Sequence, residues 1–114
     1  MRYMLIIRNG EDHPRPGDDR WDQLMADYGA FSEALASHGT TFTGDPLATP
    51  DTATTVRVKD GEVLMTDGPF AETKEWFSGY YIIDVDSLDH ALRAAGMVPS
   101  AKWGSVEVRP VISM

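Results

Sequence analysis

Two hydrophobic periods alternate along this chain, and the switches between them mark its elements. Arg2-Tyr3-Met4-Leu5-Ile6-Ile7-Arg8 is a short apolar run closed by Asn9-Gly10, the pattern of a central strand covered on both faces. Glu11 to Asp19 is polar and holds Pro14, Pro16 and Gly17, so it reads as a loop. Trp21, Leu24, Met25, Tyr28, Phe31 and Leu35 then recur at helical spacing, which puts one broad stripe against a core. Asp18 or Asp19 is the expected N-cap of this helix, and His38-Gly39 its C-terminal stop.

Thr40 to Ala53 is broken by Gly44, Pro46 and Pro50, and reads as a strand entry followed by an irregular excursion. Thr54–Lys59 and Glu62–Thr66 alternate cleanly around Asp60-Gly61, the signal for a type I′ hairpin. A two-residue loop sets Lys59 opposite Glu62, Val58 opposite Val63 and Val56 opposite Met65. The two pairs Val56/Met65 and Val58/Val63 then share one face, and Asp67 emerges at its edge. Glu72 to Glu75 is a charged break. Trp76 to Val85 is a further strand with a bulge at Ser78-Gly79. Ser87 caps a second helix carrying Leu88, Ala91, Leu92 and Ala95, stopped by Gly96 and Pro99, and Gly104–Arg109 alternates as the last strand.

With the excursion collapsed, the order is β-α-β-β-α-β. This predicts an α+β, ferredoxin-like fold in one domain, residues 1–114, with both helices on one face of an antiparallel sheet. The other face is expected to carry Arg57, Leu64, Glu107 and Arg109 among large apolar groups. A half-apolar open face of this kind is usually covered by a second subunit, so a homodimer is expected.

Composition narrows the partners. With 114 residues, 42% apolar and 25% charged, the chain can bury a core without staples. A formal net charge of −8 argues against nucleic acid and against an anionic membrane surface, both of which call for clustered Lys and Arg. The absence of cysteine excludes disulfides, thiol nucleophiles and thiolate metal sites. No apolar stretch is long enough for a signal peptide or a membrane span, and a cytoplasmic protein is expected.

The chemistry-bearing motifs are sparse. Gly-rich phosphate loops, H-E-x-x-H and G-x-S-x-G are all missing from the sequence. His13, His38 and His90 fall on different elements, where surface or capping roles are expected, and neither a metal site nor a cofactor is suggested. Asp67-Gly68-Pro69-Phe70 stands out. An Asp heading a turn usually bonds the N–H two residues on, but here that residue is Pro69, which has none. The Asp67 carboxylate is therefore left to the Phe70 N–H, a distant donor, water or a ligand. Turn capping is the ordinary reading, and a general base or ligand acceptor is the functional one. Glu72, Lys74, Arg57 and Arg109 are the charged groups that could join it around a ligand. Tyr81, on the strand that follows, completes the candidate set. More commonly, such arginines pair with carboxylates, here Glu107 or Asp84. Trp21, Trp76 and Trp103 are expected to be core or dimer contacts.

Thr66-Asp67-Gly68-Pro69-Phe70-Ala71-Glu72-Thr73-Lys74-Glu75 resembles the signature of the DGPF proteins, within the YCII-related domain group. Arg2–Ile6, Thr54–Val58, Tyr80–Val85 and Gly104–Pro110 extend the likeness over the whole chain. The resemblance implies a ferredoxin-like fold, a dimeric α/β barrel, and relatives mostly without an assigned activity. Many of those relatives are encoded beside extracytoplasmic-function sigma factors, which implies a sigma-factor-linked partner. The group's enzyme-like members carry a His early in the first helix and an Asp in an Asp-Pro-Tyr-like stretch after the second. Here those places read Asp22-Gln23-Leu24 and Val98-Pro99-Ser100, so that pair does not carry over. The expectation is a dimeric small-molecule-binding or accessory protein. The alternatives are a lyase-like enzyme using Asp67 and a protein-interaction role.

Overall fold

The structure, a computed structural model, describes residues 1–69 and 73–114. Its organising strand is β1 (Arg2–Asn9). Tyr3, Leu5 and Ile7 point to one side of it and are at most 4% exposed. β1 pairs antiparallel with both β5 (Trp76–Asp84) and β6 (Gly104–Pro110). β2 (Thr41–Pro46) adds beyond β5, giving the sheet order β2-β5-β1-β6. Two helices, α1 (Trp21–Ser37) and α2 (Leu88–Met97), cover the Tyr3/Leu5/Ile7 side. Phe31 and Leu35 from α1, and Ala91, Ala94 and Ala95 from α2, close one core with Ile83 and Val98. This is the expected ferredoxin-like α+β arrangement, built from β1-α1-β2-β5-α2-β6.

The remaining strands, β3 (Thr54–Lys59) and β4 (Glu62–Asp67), form a separate two-stranded sheet. Its register is the expected one, Lys59 to Glu62, Val58 to Val63 and Val56 to Met65, and Thr54 meets Asp67. Asp60 and Gly61 both have positive φ, 52° and 77°, as a type I′ turn requires. One expectation is corrected. Glu107 and Arg109 do lie on the open face of the four-stranded sheet, opposite Ile6 and Met4, but Arg57 and Leu64 face each other on the hairpin. The reason is topological: β2 takes the edge beside β5, and the tight turn pairs β3 and β4 only with each other. The radius of gyration, 16.1 Å, exceeds the value of about 13 Å for a compact chain of this length, as a projecting hairpin demands.

Local signals mostly act where they stand. β1 and β5 slip register between Ile7 and Arg8, so Ser78 is the extra residue of a bulge, and its hydroxyl donates to the Ile7 carbonyl at 3.1 Å. Ser87 caps α2 by accepting the His90 N–H. Gly39, with φ of 73°, ends the chain's turn out of α1. The α1 N-terminus differs from expectation, because Arg20 is the N-cap and no side chain caps it. Asp18 is occupied instead by Arg20, taking its backbone N–H at 2.9 Å and its guanidinium at 2.8 and 3.1 Å. Those side-chain and backbone bonds lower the Asp18 carboxyl to about 2. In α2, Leu88 and Leu92 are about half exposed while Ala94 joins the core, so the buried stripe is rotated toward the smaller side chains that fit against the sheet.

Candidate functional site

Between α1 and the sheet a cleft of about 900 Å³ opens, bounded by the loop before α1, the end of β2 with residues 47–51, and the first half of β5. Its surface is mainly apolar and aromatic, with Trp21, Tyr28, Trp76 and Tyr81 contributing rings. Alternation explains this wall. Asn9 continues the Tyr3/Leu5/Ile7 side of β1, and beyond the Ser78 bulge Trp76 pairs with Asn9, so the bulge turns a new aromatic group toward the cleft. Gly44 lets β2 approach here, since a Cβ would lie 2.9 Å from the Tyr81 ring and 2.4 Å from the Tyr80 carbonyl oxygen.

Four polar groups converge on this apolar surface. His13 Nδ1 lies 2.8 Å from the Pro14 carbonyl oxygen and Nε2 lies 2.7 Å from Ser100 Oγ. Tyr28 donates its hydroxyl to Ser100 Oγ at 2.6 Å. A carbonyl only accepts, so Nδ1 carries the proton, and in the neutral ring Nε2 accepts from the Ser100 hydroxyl. Tyr28, Ser100 and His13 thus form one directional chain that ends on Pro14. Ser100 is 2% exposed, and burial without this pairing would cost it dearly. The fourth residue is Asn9, whose Oδ1 is closed off from solvent and has no hydrogen-bond partner among the described residues.

Electrostatics follow the burial. Desolvation, reinforced by the Arg20 charge and opposed by the Pro14 carbonyl, lowers the His13 pKa below its ordinary 6.5. Tyr28 is raised by burial, against the opposing bonds from Ser100. Tyr81 is raised by burial as well, with the Ser32 hydroxyl opposing, and its ring meets Phe31 edge-on at 5.2 Å. Trp103 stands edge-on to His13 at 6.0 Å and carries the Arg20 guanidinium 5.8 Å above its ring. The Asp18–Arg20–Trp103 stack therefore fixes the loop that presents His13.

A sequence model of the YCII-related domain matches residues 1–114. The chain belongs to the YCII-related domain family. An uncharacterised protein of Rhizobium meliloti (strain 1021) is 36% identical over 114 residues, covering 97% of this chain and 92% of its own length.

Among the described site residues expected for this YCII-related protein, only Tyr81 lines the cleft. Asp67 is exposed at the foot of β4, outside the cleft. Its turn is held by the Gly68 N–H to the Ala53 carbonyl at 2.7 Å and by the Thr55 hydroxyl to the Gly68 carbonyl at 2.8 Å. The Phe70 N–H, one of the partners open to Asp67, and Glu72 lie outside the described residues. Lys74 borders a separate shallow depression with Glu11, Asp12 and Lys102. Arg109 Nε sits 3.6 Å from Glu107 Oε2, the pairing expected for it, and Arg57 stays on the hairpin. Among the described residues no three side chains are placed to hold a metal. His38 and His90 lie at helix ends, His38 bonding the Ala34 carbonyl through Nδ1 at 2.7 Å. His13 departs from the surface role expected of it. Its side-chain partner Ser100 lies 87 positions away, and Ser100 meets Tyr28 across 72 positions, so no local spacing announces the cluster.

Proposed function

We propose that this YCII-related protein is a dimeric small-molecule-binding protein whose ligand occupies the cleft between α1 and the sheet. The observation that carries the reading is the cleft itself, about 900 Å³ of mainly apolar and aromatic surface bordered by the Tyr28–Ser100–His13 chain. Binding sites are commonly of this kind, apolar with a few placed polar groups. A ligand with an aromatic body and one hydrogen-bonding group suits such a wall. A fragment screen by thermal shift tests it: aromatic fragments with one hydrogen-bonding group stabilise the protein, by about 2.7 kcal/mol at 100 times the dissociation constant. The same fragments are expected to shift Tyr28→Ala, which loses a ring and a hydroxyl from the wall, much less. Equal shifts in both proteins would refute the reading.

The hairpin supports the dimeric part. Val56, Val58, Val63 and Met65 are 55–71% exposed on one face, and a two-stranded hairpin is marginally stable alone. A second copy of the chain covers that face, and light scattering on Val58→Asp checks it: a dimeric wild type and a monomeric variant are expected. A monomeric wild type would contradict it.

A further inference from the structure

The polar chain beside the cleft runs in one direction, and the number of protons in it sets that direction. We infer that protonation of His13 reverses the Tyr28–Ser100–His13 chain, so that the cleft changes from accepting its ligand's hydrogen bond to donating one. The inference rests on the binding reading of the same cleft and deepens it. The ligand's polar group is matched to the protonation state of a residue whose own nitrogens it does not touch.

With the imidazole neutral, three protons meet three acceptors. His13 Nδ1–H is held by the Pro14 carbonyl at 2.8 Å, the Ser100 hydroxyl donates to Nε2 at 2.7 Å, and the Tyr28 hydroxyl donates to Ser100 Oγ at 2.6 Å. His13 borders the cleft, but both of its ring nitrogens are engaged in this way and neither has anything left to offer a ligand. Ser100 is 2% exposed, with a partner on either side. The Tyr28 oxygen is the open end of the chain, with an acceptor position to spare. Tyr28 lines the cleft and is only partly buried, so in the neutral state this end takes a ligand's N–H or O–H.

A proton taken from solvent by His13 adds a fourth. Nε2 becomes a donor, and the acceptor facing it is Ser100 Oγ. Ser100 then turns its own proton to its other neighbour, the Tyr28 oxygen. Pro14 keeps Nδ1–H, each bond keeps its two heavy atoms, and only the hydroxyl protons rotate. The surplus proton is the one on Tyr28, which now points to the cleft, where a carbonyl or similar acceptor satisfies it. Were Ser100 to accept from both sides instead, its own proton would be stranded in a buried place, which is costly. The charges around His13 do not supply this stabilisation. Arg20, in the same loop, disfavours the imidazolium, and Asp18 is spent on Arg20. Tyr28 from α1 and Ser100 beyond α2 are neutral, and the Lys102 ammonium stands 5.7 Å above the Trp103 ring that meets His13 edge-on. An acceptor in the cleft therefore favours the protonated chain, and by reciprocity an acceptor ligand draws a proton onto His13.

The test uses 1-indanone and indole with the full-length protein. Both are neutral bicycles of similar size between about pH 5 and 8, the range in which His titrates. The first carries an acceptor and no N–H or O–H, and the second an N–H donor and no acceptor. Dissociation constants are measured by 1H–15N titration across that range. In the wild type, 1-indanone is expected to bind more tightly as pH falls and indole less tightly. The 1-indanone constant changes by up to about tenfold per pH unit above the His13 pKa, in proportion to the protonated fraction. Calorimetry in buffers of different ionisation enthalpy is expected to show proton uptake with 1-indanone and release with indole. A general loosening in acid would weaken both probes together, so opposite signs are the signature. His13→Gln flattens both profiles, and Tyr28→Phe, which keeps the ring, removes their opposition while both probes still bind. Parallel profiles in the wild type, or opposed profiles that persist in either variant, would overturn the reversal and leave the binding reading standing. Absence of any shift in the cleft with either probe at every pH would overturn both readings.

Discussion

The hairpin and the cleft are opposite in what they show and what they hide. β3 and β4 carry the most distinctive sequence of the chain, ending in Asp67-Gly68-Pro69, yet their apolar face is exposed and Asp67 stands in solvent. The cleft carries no motif, yet it gathers a half-buried imidazole, a buried hydroxyl, a phenol and an orphaned amide oxygen. A conspicuous stretch of sequence marks local geometry, here a turn that needs glycine at φ of 101° and a proline after it. Chemistry needs groups brought together by the fold, and those leave no trace in spacing.

Substitutions separate the two regions. Ser100→Val deprives Tyr28 and His13 of their common partner and leaves two polar groups buried, so urea unfolding is expected to show a loss of about 2–4 kcal/mol. On the hairpin, Val58→Ser at 70% exposure costs within about 0.5 kcal/mol when measured on the monomer. Equal losses at the two sites would break the comparison. Asn9→Leu is expected to act with the opposite sign, raising stability of the ligand-free protein by about 1 kcal/mol, because an unsatisfied acceptor is exchanged for an apolar group of similar size.

His13 has a lowered pKa in the folded protein, so the unfolded chain binds its proton first. The stability contributed by the neutral ring is fully present above pH 6.5 and declines as pH falls below that value. Stability measured by urea unfolding across this range is expected to fall on acidification in the wild type and to flatten in His13→Gln; identical profiles would count against the buried pair. The smallest effect belongs to Asp67→Asn, which is expected to cost no more than about 1 kcal/mol, the scale of a lost cap. It should leave fragment binding in the cleft unchanged.

Much of the fold could be read from the chain because its signals are local. The hairpin register follows from Asp60-Gly61 and strict alternation, the Ser78 bulge from Ser78-Gly79, and the α2 start from Ser87. The open question at each element was what it packs against, and there the sequence is silent. Alternation could not say that β3 and β4 would leave the main sheet, so Arg57 was expected beside Arg109. An acidic pair before α1 looks like a cap, but Arg20 claims Asp18 while lying over Trp103 from the far end of the chain. His13 in a Pro-rich loop looks like a surface residue until Ser100 and Tyr28 are placed beside it.

The ligand site proposed for this protein is the cleft beneath α1, away from Asp67-Gly68-Pro69. Mapping 1H–15N shifts during titration with aromatic fragments that carry one hydrogen-bonding group tests this placement. Perturbations are expected to concentrate at Asn9, His13, Tyr28 and Ser100, with Asp67 and the hairpin unmoved. Perturbations concentrated at Asp67 and its turn, with the cleft silent, would contradict it.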